Sequence, residues 1–181
     1  MRVLGVDPGL QCTGYGIIEF KGSSTNLKSK AANRITLLEA GIIRTKARDK
    51  LTVRLKKIYA GILEVSEKYN PDVIALEELY SHYQNPRTAI IMAHARGVIC
   101  LVAANTNINV VDYAARKVKK AITGTGTAKK IQMQKVVKEI LNLKKNPEPH
   151  DVADALALAI THLNVSRFVK FNAGEKIRIN F

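Results

Sequence analysis

Two short apolar runs, Val3-Leu4-Gly5-Val6 and Val73-Ile74-Ala75-Leu76, each end on a carboxylate, Asp7 and Glu77. Both runs are β-rich, so each reads as a strand with an acid at its end. Two further acids, Asp151 and Asp154, lie beside the apolar run of the last helix, and a spacing of three puts them on one helical face. Taken singly, each has an ordinary reading. Asp7 before Pro8-Gly9 suits a turn, and Asp151 and Asp154 suit a first helical turn. Asp154, however, sits among small and apolar neighbours from Ala153 to Ala159, where an unpaired carboxylate is costly. Glu77 gains nothing as a turn former. Carboxylates gathered in an apolar setting repel one another and take up protons unless a cation lies between them. All-oxygen sites suit Mg²⁺ or Mn²⁺.

The rest of the chain is basic. Its 181 residues carry 29 Lys and Arg against 15 Asp and Glu, a formal net charge of +14. Such an excess points to a polyanion, either nucleic acid or an acidic membrane surface. From Arg116 to Lys145 there are ten basic residues, with Glu139 the single acid. The run reads as a solvated helix face or as a track for backbone phosphates, and its proximity in sequence to the last two acids favours the track. A metal-ready acidic pocket in a basic protein is what phosphodiester hydrolysis on a nucleic acid requires. Cys12 and Cys100 give neither zinc spacing nor a disulfide framework. Met1 leads straight into a strand, and the longest apolar stretch, Val98 to Ala104, is too short to span a bilayer. A cytoplasmic protein with no membrane association is expected.

The length and a hydrophobic content of 46% suit a single core. Strands are predicted at Arg2–Asp7, Thr13–Phe20 and Arg34–Arg44, with residues 21–33 an exposed loop. Leu51, Leu55, Ile58, Ile62 and Val65 recur at helical spacing, predicting a helix from Asp49 to Tyr69 that Asn70-Pro71 ends. Val73–Leu76 is the next strand. Asn85 as N-cap and Pro86 at the first position open a second helix, running to about Ala104. A strand at Ile108–Val111, a helix at Ala114–Ile122 and another at about Ala128–Leu143 follow. The last helix spans Pro149 to about Asn164. The order β-β-β-α-β-α-β-α is that of an α/β, ribonuclease-H-like fold, a five-stranded mixed sheet flanked by helices. Residues 1–165 form the expected domain, and 166–181 a basic C-terminal tail. In that fold Asp7 and Glu77 project from adjacent central strands, with the last helix bringing its carboxylates over them.

Several motifs occur in order: Asp7-Pro8-Gly9 with Thr13-Gly14-Tyr15-Gly16, Ala75-Leu76-Glu77, Ala93-His94-Ala95-Arg96-Gly97, Tyr113-Ala114-Ala115-Arg116, Lys119, Gly124-Thr125-Gly126, Lys130 and Asp151-Val152-Ala153-Asp154-Ala155-Leu156-Ala157. Together they resemble the RuvC family of bacterial Holliday junction resolvases from Met1 to about His162. The resemblance implies a homodimeric, Mg²⁺-dependent endonuclease of DNA recombination and repair. Such an enzyme cuts opposed strands of a four-way DNA junction symmetrically and leaves ligatable nicks with 5′-phosphates. It implies Asp7, Glu77, Asp151 and Asp154 as catalytic metal ligands, with two ions per site on substrate binding and Mn²⁺ able to substitute. It also implies Lys119 and Lys130 near the scissile phosphate, Lys130 among the catalytic residues. Tyr80 takes the place of an aromatic that stacks at opened base pairs, the alternative being packing at a loop base. Arg87, Arg116, Lys120 and Lys129 are the remaining expected DNA contacts, and the branch-migration proteins RuvA and RuvB the expected partners.

Glu78 follows Glu77 directly, but successive strand residues face opposite sides, so only one enters the site and the motif favours Glu77. His150 reads as a satisfied surface histidine, or as an auxiliary ligand or proton shuttle beside Asp151. The second helix, with Ala89, Ala93, Ala95 and Gly97 among Ile90, Ile91 and Met92, reads as a buried core helix or as the two-fold interface. The stretch Gly124 to Lys130 looks like a phosphate-cradling loop but lacks P-loop spacing. Competing classes are an actin-like ATPase or sugar kinase, for which the chain is short, a non-catalytic DNA-binding module and a related nuclease acting on RNA.

Overall fold

The computed structural model describes the backbone of residues 1–21, 34–79 and 86–176, and the side chains of 1–21, 35–79 and 89–168. Ten elements follow in order: β1 (Arg2–Asp7), β2 (Cys12–Lys21), β3 (Arg34–Arg44), α1 (Leu51–Tyr69), β4 (Val73–Glu77), α2 (Pro86–Thr106), β5 (Asn109–Tyr113), α3 (Ala115–Thr123), α4 (Lys130–Leu141) and α5 (His150–Lys176). The strands form one sheet in the order β3-β2-β1-β4-β5. The β1–β2 and β2–β3 pairs are antiparallel, whereas β1–β4 and β4–β5 are parallel. This is the mixed five-stranded sheet that the alternation of strands and helices predicts.

Period-two alternation sorts the strand residues between two cores. Val3, Val73, Ala75 and Tyr113 pack under α3, α4 and α5, whereas Leu4, Val6, Ile74 and Leu76 pack against α1 and α2. Asp7 and Glu77 share the parity of Val3, Val73 and Ala75, so both strands deliver their terminal acids to the face that α5 covers. Parallel pairing of Val6 with Leu76 then sets the two acids side by side.

α5 lies directly on β1 and β2 because glycines open the way. A Cβ at Gly5 would run into the Ala155 carbonyl, and one at Gly14 into the Asp151 carbonyl. α5 is buried along almost every residue from Val152 to Leu163, which makes it the central helix of its layer.

Most boundaries shift by one or two residues, and those of α5 and α1 bear on the packing. α5 continues to Lys176 instead of ending near Asn164. Its extension is held by Ser166, whose Oγ donates to the Leu163 carbonyl at 2.9 Å, and by Arg167, stacked 4.6 Å from the centre of the Phe20 ring. α1 begins at Leu51, which is 41% exposed, so the buried stripe starts later than the sequence periodicity suggests, with Ile58, Ile62 and Val65. Asn70 ends α1, as the Asn-Pro pair predicts, and adopts the left-handed conformation there. The expected loop at 21–33 and the N-cap at Asn85 lie outside the described residues, apart from Lys21 in β2. No helix among the described residues is long and apolar enough to cross a membrane.

Candidate active site

Every strand except β2 runs toward the same end of the sheet, and the site forms where β1 and β4 stop there. Asp7 is held by the turn that follows it, where the Thr13 hydroxyl donates to the Gly9 carbonyl at 2.7 Å. The first turn of α5 is set by the Val152 amide donating to the Pro149 carbonyl at 3.0 Å. Gln134 Nε2 donates to the Pro147 carbonyl at 2.9 Å, tying α4 to the segment that leads into this turn.

A cleft of about 260 Å³ is lined by Asp7, Glu77 and Asp154 together with Lys119 and Lys130, and by the apolar side chains of Met133 and Leu158. Asp151 is not part of that lining. It lies on the β2 side, beside Cys12, whose thiol hydrogen-bonds to it, and 3.9 Å from His150 Nε2. Its charge still reaches Asp7.

Electrostatics reflect this crowding. Burial first, then the charges of Glu77 and Asp154, push the Asp7 carboxyl up to about 8. Hydrogen bonding between the two carboxyls acts in opposite directions, raising Asp7 and lowering Glu77. Burial also raises Glu77, against the lowering pull of that hydrogen bond and of Lys119 and Lys130. Asp154 is raised by burial and partly restored by Lys130 and His150. The cleft therefore concentrates desolvated oxygen donors that Lys119 and Lys130 compensate only in part. Among the described residues, no three His, Cys, Asp or Glu side chains already converge on one ion position. The donor set nonetheless fits a hard divalent cation: it is all oxygen, and a cation would supply the charge whose lack keeps Asp7 protonated.

Of the expected DNA-contacting residues, Lys119 and Lys130 line the cleft, while Arg116, Lys120 and Lys129 are exposed on α3 and at the start of α4. Arg116 also packs over Gly126. Tyr80 and the side chain of Arg87 lie outside the described residues. Glu78 is exposed, whereas Glu77 faces the cleft. Gly124 adopts φ +80° and caps α3 through its amide to the Lys120 carbonyl at 2.9 Å, so this glycine serves to end a helix.

Two polar arrangements escape sequence reasoning. Tyr113 and His162 meet through a 2.9 Å hydrogen bond that ties the end of β5 to α5 below the cleft. Arg96 on α2 reaches the Glu77 carbonyl at 2.8 Å. Neither leaves a periodic signal, because each joins residues far apart in the chain.

The sheet order and the acidic cleft at the strand ends define a ribonuclease-H-like α/β protein. The family model described as crossover junction endodeoxyribonuclease RuvC matches residues 3–162. A RuvC from Rhodopirellula baltica is 48% identical over 158 residues, covering 87% of this chain and 83% of that protein. One from Caldicellulosiruptor saccharolyticus is 42% identical, covering 97% and 99%. Among solved structures, Thermus thermophilus RuvC in complex with Holliday junction substrate superposes with a TM-score of 0.82 at 32% identity, covering 93% of this chain and 96% of that one. The chain belongs to the RuvC family of crossover junction endodeoxyribonucleases.

Proposed function

We propose that the protein is a structure-selective endonuclease that resolves four-way DNA junctions by paired, symmetric phosphodiester hydrolysis. The observation that carries this reading is the cleft itself: carboxylates from β1, β4 and α5 face two lysines, in a chain of this family with strong positive charge. Asp7, Glu77 and Asp154, with Asp151 at the cleft's edge, would hold Mg²⁺, two ions per site with substrate, and Mn²⁺ would substitute. Bound ions supply Lewis-acid stabilisation of the phosphoryl oxygens and activation of water.

The chain's own residues do the rest. Asp7 and Glu77 serve as ligands only as carboxylates, so cation binding releases the proton they share. Lys119 and Lys130, in the same lining, neutralise phosphate charge, Lys130 within the catalytic set. Arg116, Lys120 and Lys129 extend this positive surface along α3 and α4, with Tyr80 and Arg87 as further DNA contacts. His150 serves as an auxiliary group beside Asp151.

A symmetric junction calls for two sites, and α2 offers the surface to pair them. Its exposed side is an apolar patch that includes Ile90, Ala93, Gly97 and Leu101, with Ile90 58% and Leu101 52% exposed. A two-fold contact through this face makes the protein a homodimer. The nuclease domain is assigned to 1–165 and the basic extension to 166–181. A cytoplasmic location and cooperation with the branch-migration proteins RuvA and RuvB complete the proposal.

The test is incubation with Mg²⁺ and an end-labelled mobile four-way junction, followed by ligase. Symmetric incisions on opposed strands, sealed by ligase, are expected. Tight junction binding without incision across several junction sequences and both metals would instead identify a binding module.

A further inference from the structure

The motif Ala93-His94-Ala95-Arg96-Gly97 contains a charged residue that the cleft does not use directly. Arg96 points inward from α2, and its side chain is 17% exposed. Nη1 donates to the Glu77 carbonyl at 2.8 Å, and Nη2 to Asp112 Oδ1 on β5 at 2.7 Å. The neighbouring helical residues Ala95 and Ile99 are fully buried in the core under α2, which fixes the rotation of the helix and hence the aim of Arg96.

The peptide between Glu77 and Glu78 is thereby held at both ends. Its N–H donates to the Tyr113 carbonyl at 3.0 Å, while its C=O accepts from Arg96. The grip comes where the sheet can no longer supply one. The β1–β4 ladder ends at Val6 and Leu76, and β1 continues into Pro8, which has no N–H to offer. A guanidinium with two donors in a fixed plane suits a carbonyl and a carboxylate on adjacent strands, and an ammonium can reproduce only part of this.

We propose that Arg96 is a positioning residue: by clamping the Glu77 carbonyl against β5, it holds the Glu77 carboxylate in the geometry that cation binding requires. The inference rests on the reading of Glu77 as a metal ligand. Small displacements of a reacting group cost up to about 100-fold in rate.

The test compares wild type, Arg96→Gln, Arg96→Lys, Asp112→Asn and Glu77→Gln. Four quantities are read: melting temperature, junction affinity in EDTA, Mn²⁺ binding to the DNA-free protein by electron paramagnetic resonance, and the Mg²⁺ midpoint of single-turnover cleavage. Arg96→Gln should weaken Mn²⁺ binding and raise the Mg²⁺ midpoint several-fold, with junction affinity within about twofold of wild type. Arg96→Lys should fall between the two, and Asp112→Asn, which keeps an acceptor for Nη2, should stay close to wild type. Wild-type Mn²⁺ binding and Mg²⁺ midpoint in Arg96→Gln would overturn the inference. So would a loss of junction binding that merely follows a fall in melting temperature. Should Arg96→Gln not fold, Arg96→Lys decides on the same readings. If Glu77→Gln leaves Mn²⁺ binding and cleavage intact, the assignment of Glu77 as a ligand has failed, which separates that failure from a failure of Arg96 alone.

Discussion

Asp7 is the residue on which burial and charge repulsion act most strongly in the same direction. In the unfolded chain its carboxyl titrates near 3.8, and in the folded protein near 8. Between those values the folded state binds the proton more tightly, so stability is fully present below the lower pH and falls as pH rises toward the higher. At about 1.4 kcal/mol for each pH unit of that window, the cost reaches several kcal/mol at pH 8. In metal-free buffer, Asp7→Asn should therefore melt several degrees above wild type at pH 8, with a smaller gap at pH 5. Adding Mg²⁺ should raise the melting temperature of wild type more than that of the variant. Equal melting curves at both pH values would contradict the electrostatic account. The acid's position was legible in the sequence, because an apolar run ending in Asp before Pro-Gly places it at a strand end. The size of its perturbation was not, since that depends on Glu77 and Asp154 arriving from other elements.

Among the elements, α5 does most to build the site. It carries Asp151 and Asp154 across β1 and β2 at a spacing that only glycine permits at Gly5 and Gly14. Gly14→Ala should lift the start of α5 from β2, cost roughly 1–3 kcal/mol in denaturant unfolding and lower single-turnover cleavage at least tenfold. A variant with wild-type stability and rate would show that the close approach is dispensable. Helical periodicity located α1, and two short apolar runs located the central strands with their terminal acids. The far end of α5 was hidden because Val165-Ser166-Arg167-Phe168 lacks the apolar repeat. Contacts of Ser166 and Arg167 with Leu163 and Phe20 sustain the helix there. The Arg96 clamp was hidden for a related reason, as an arginine on an otherwise apolar helix does not disclose which carbonyl it will reach.

At the scale of the whole molecule, two properties must coincide for junction resolution: a positive surface that binds the junction and a pair of sites that act on opposed strands. Leu101→Glu places a charge on the exposed apolar face of α2. It should shift the protein to a monomer in sedimentation velocity and abolish paired incision, while a dimer of unchanged affinity would exclude this face as the interface. Hydrolysis of the junction through the carboxylate cleft can be isolated by one comparison. Wild type and Asp7→Asn are each given an end-labelled mobile four-way junction with Mg²⁺, and binding is measured in parallel with Ca²⁺. Wild type should make symmetric incisions that vanish in the variant while junction binding persists. Incision by Asp7→Asn at the wild-type rate would contradict hydrolysis through that cleft.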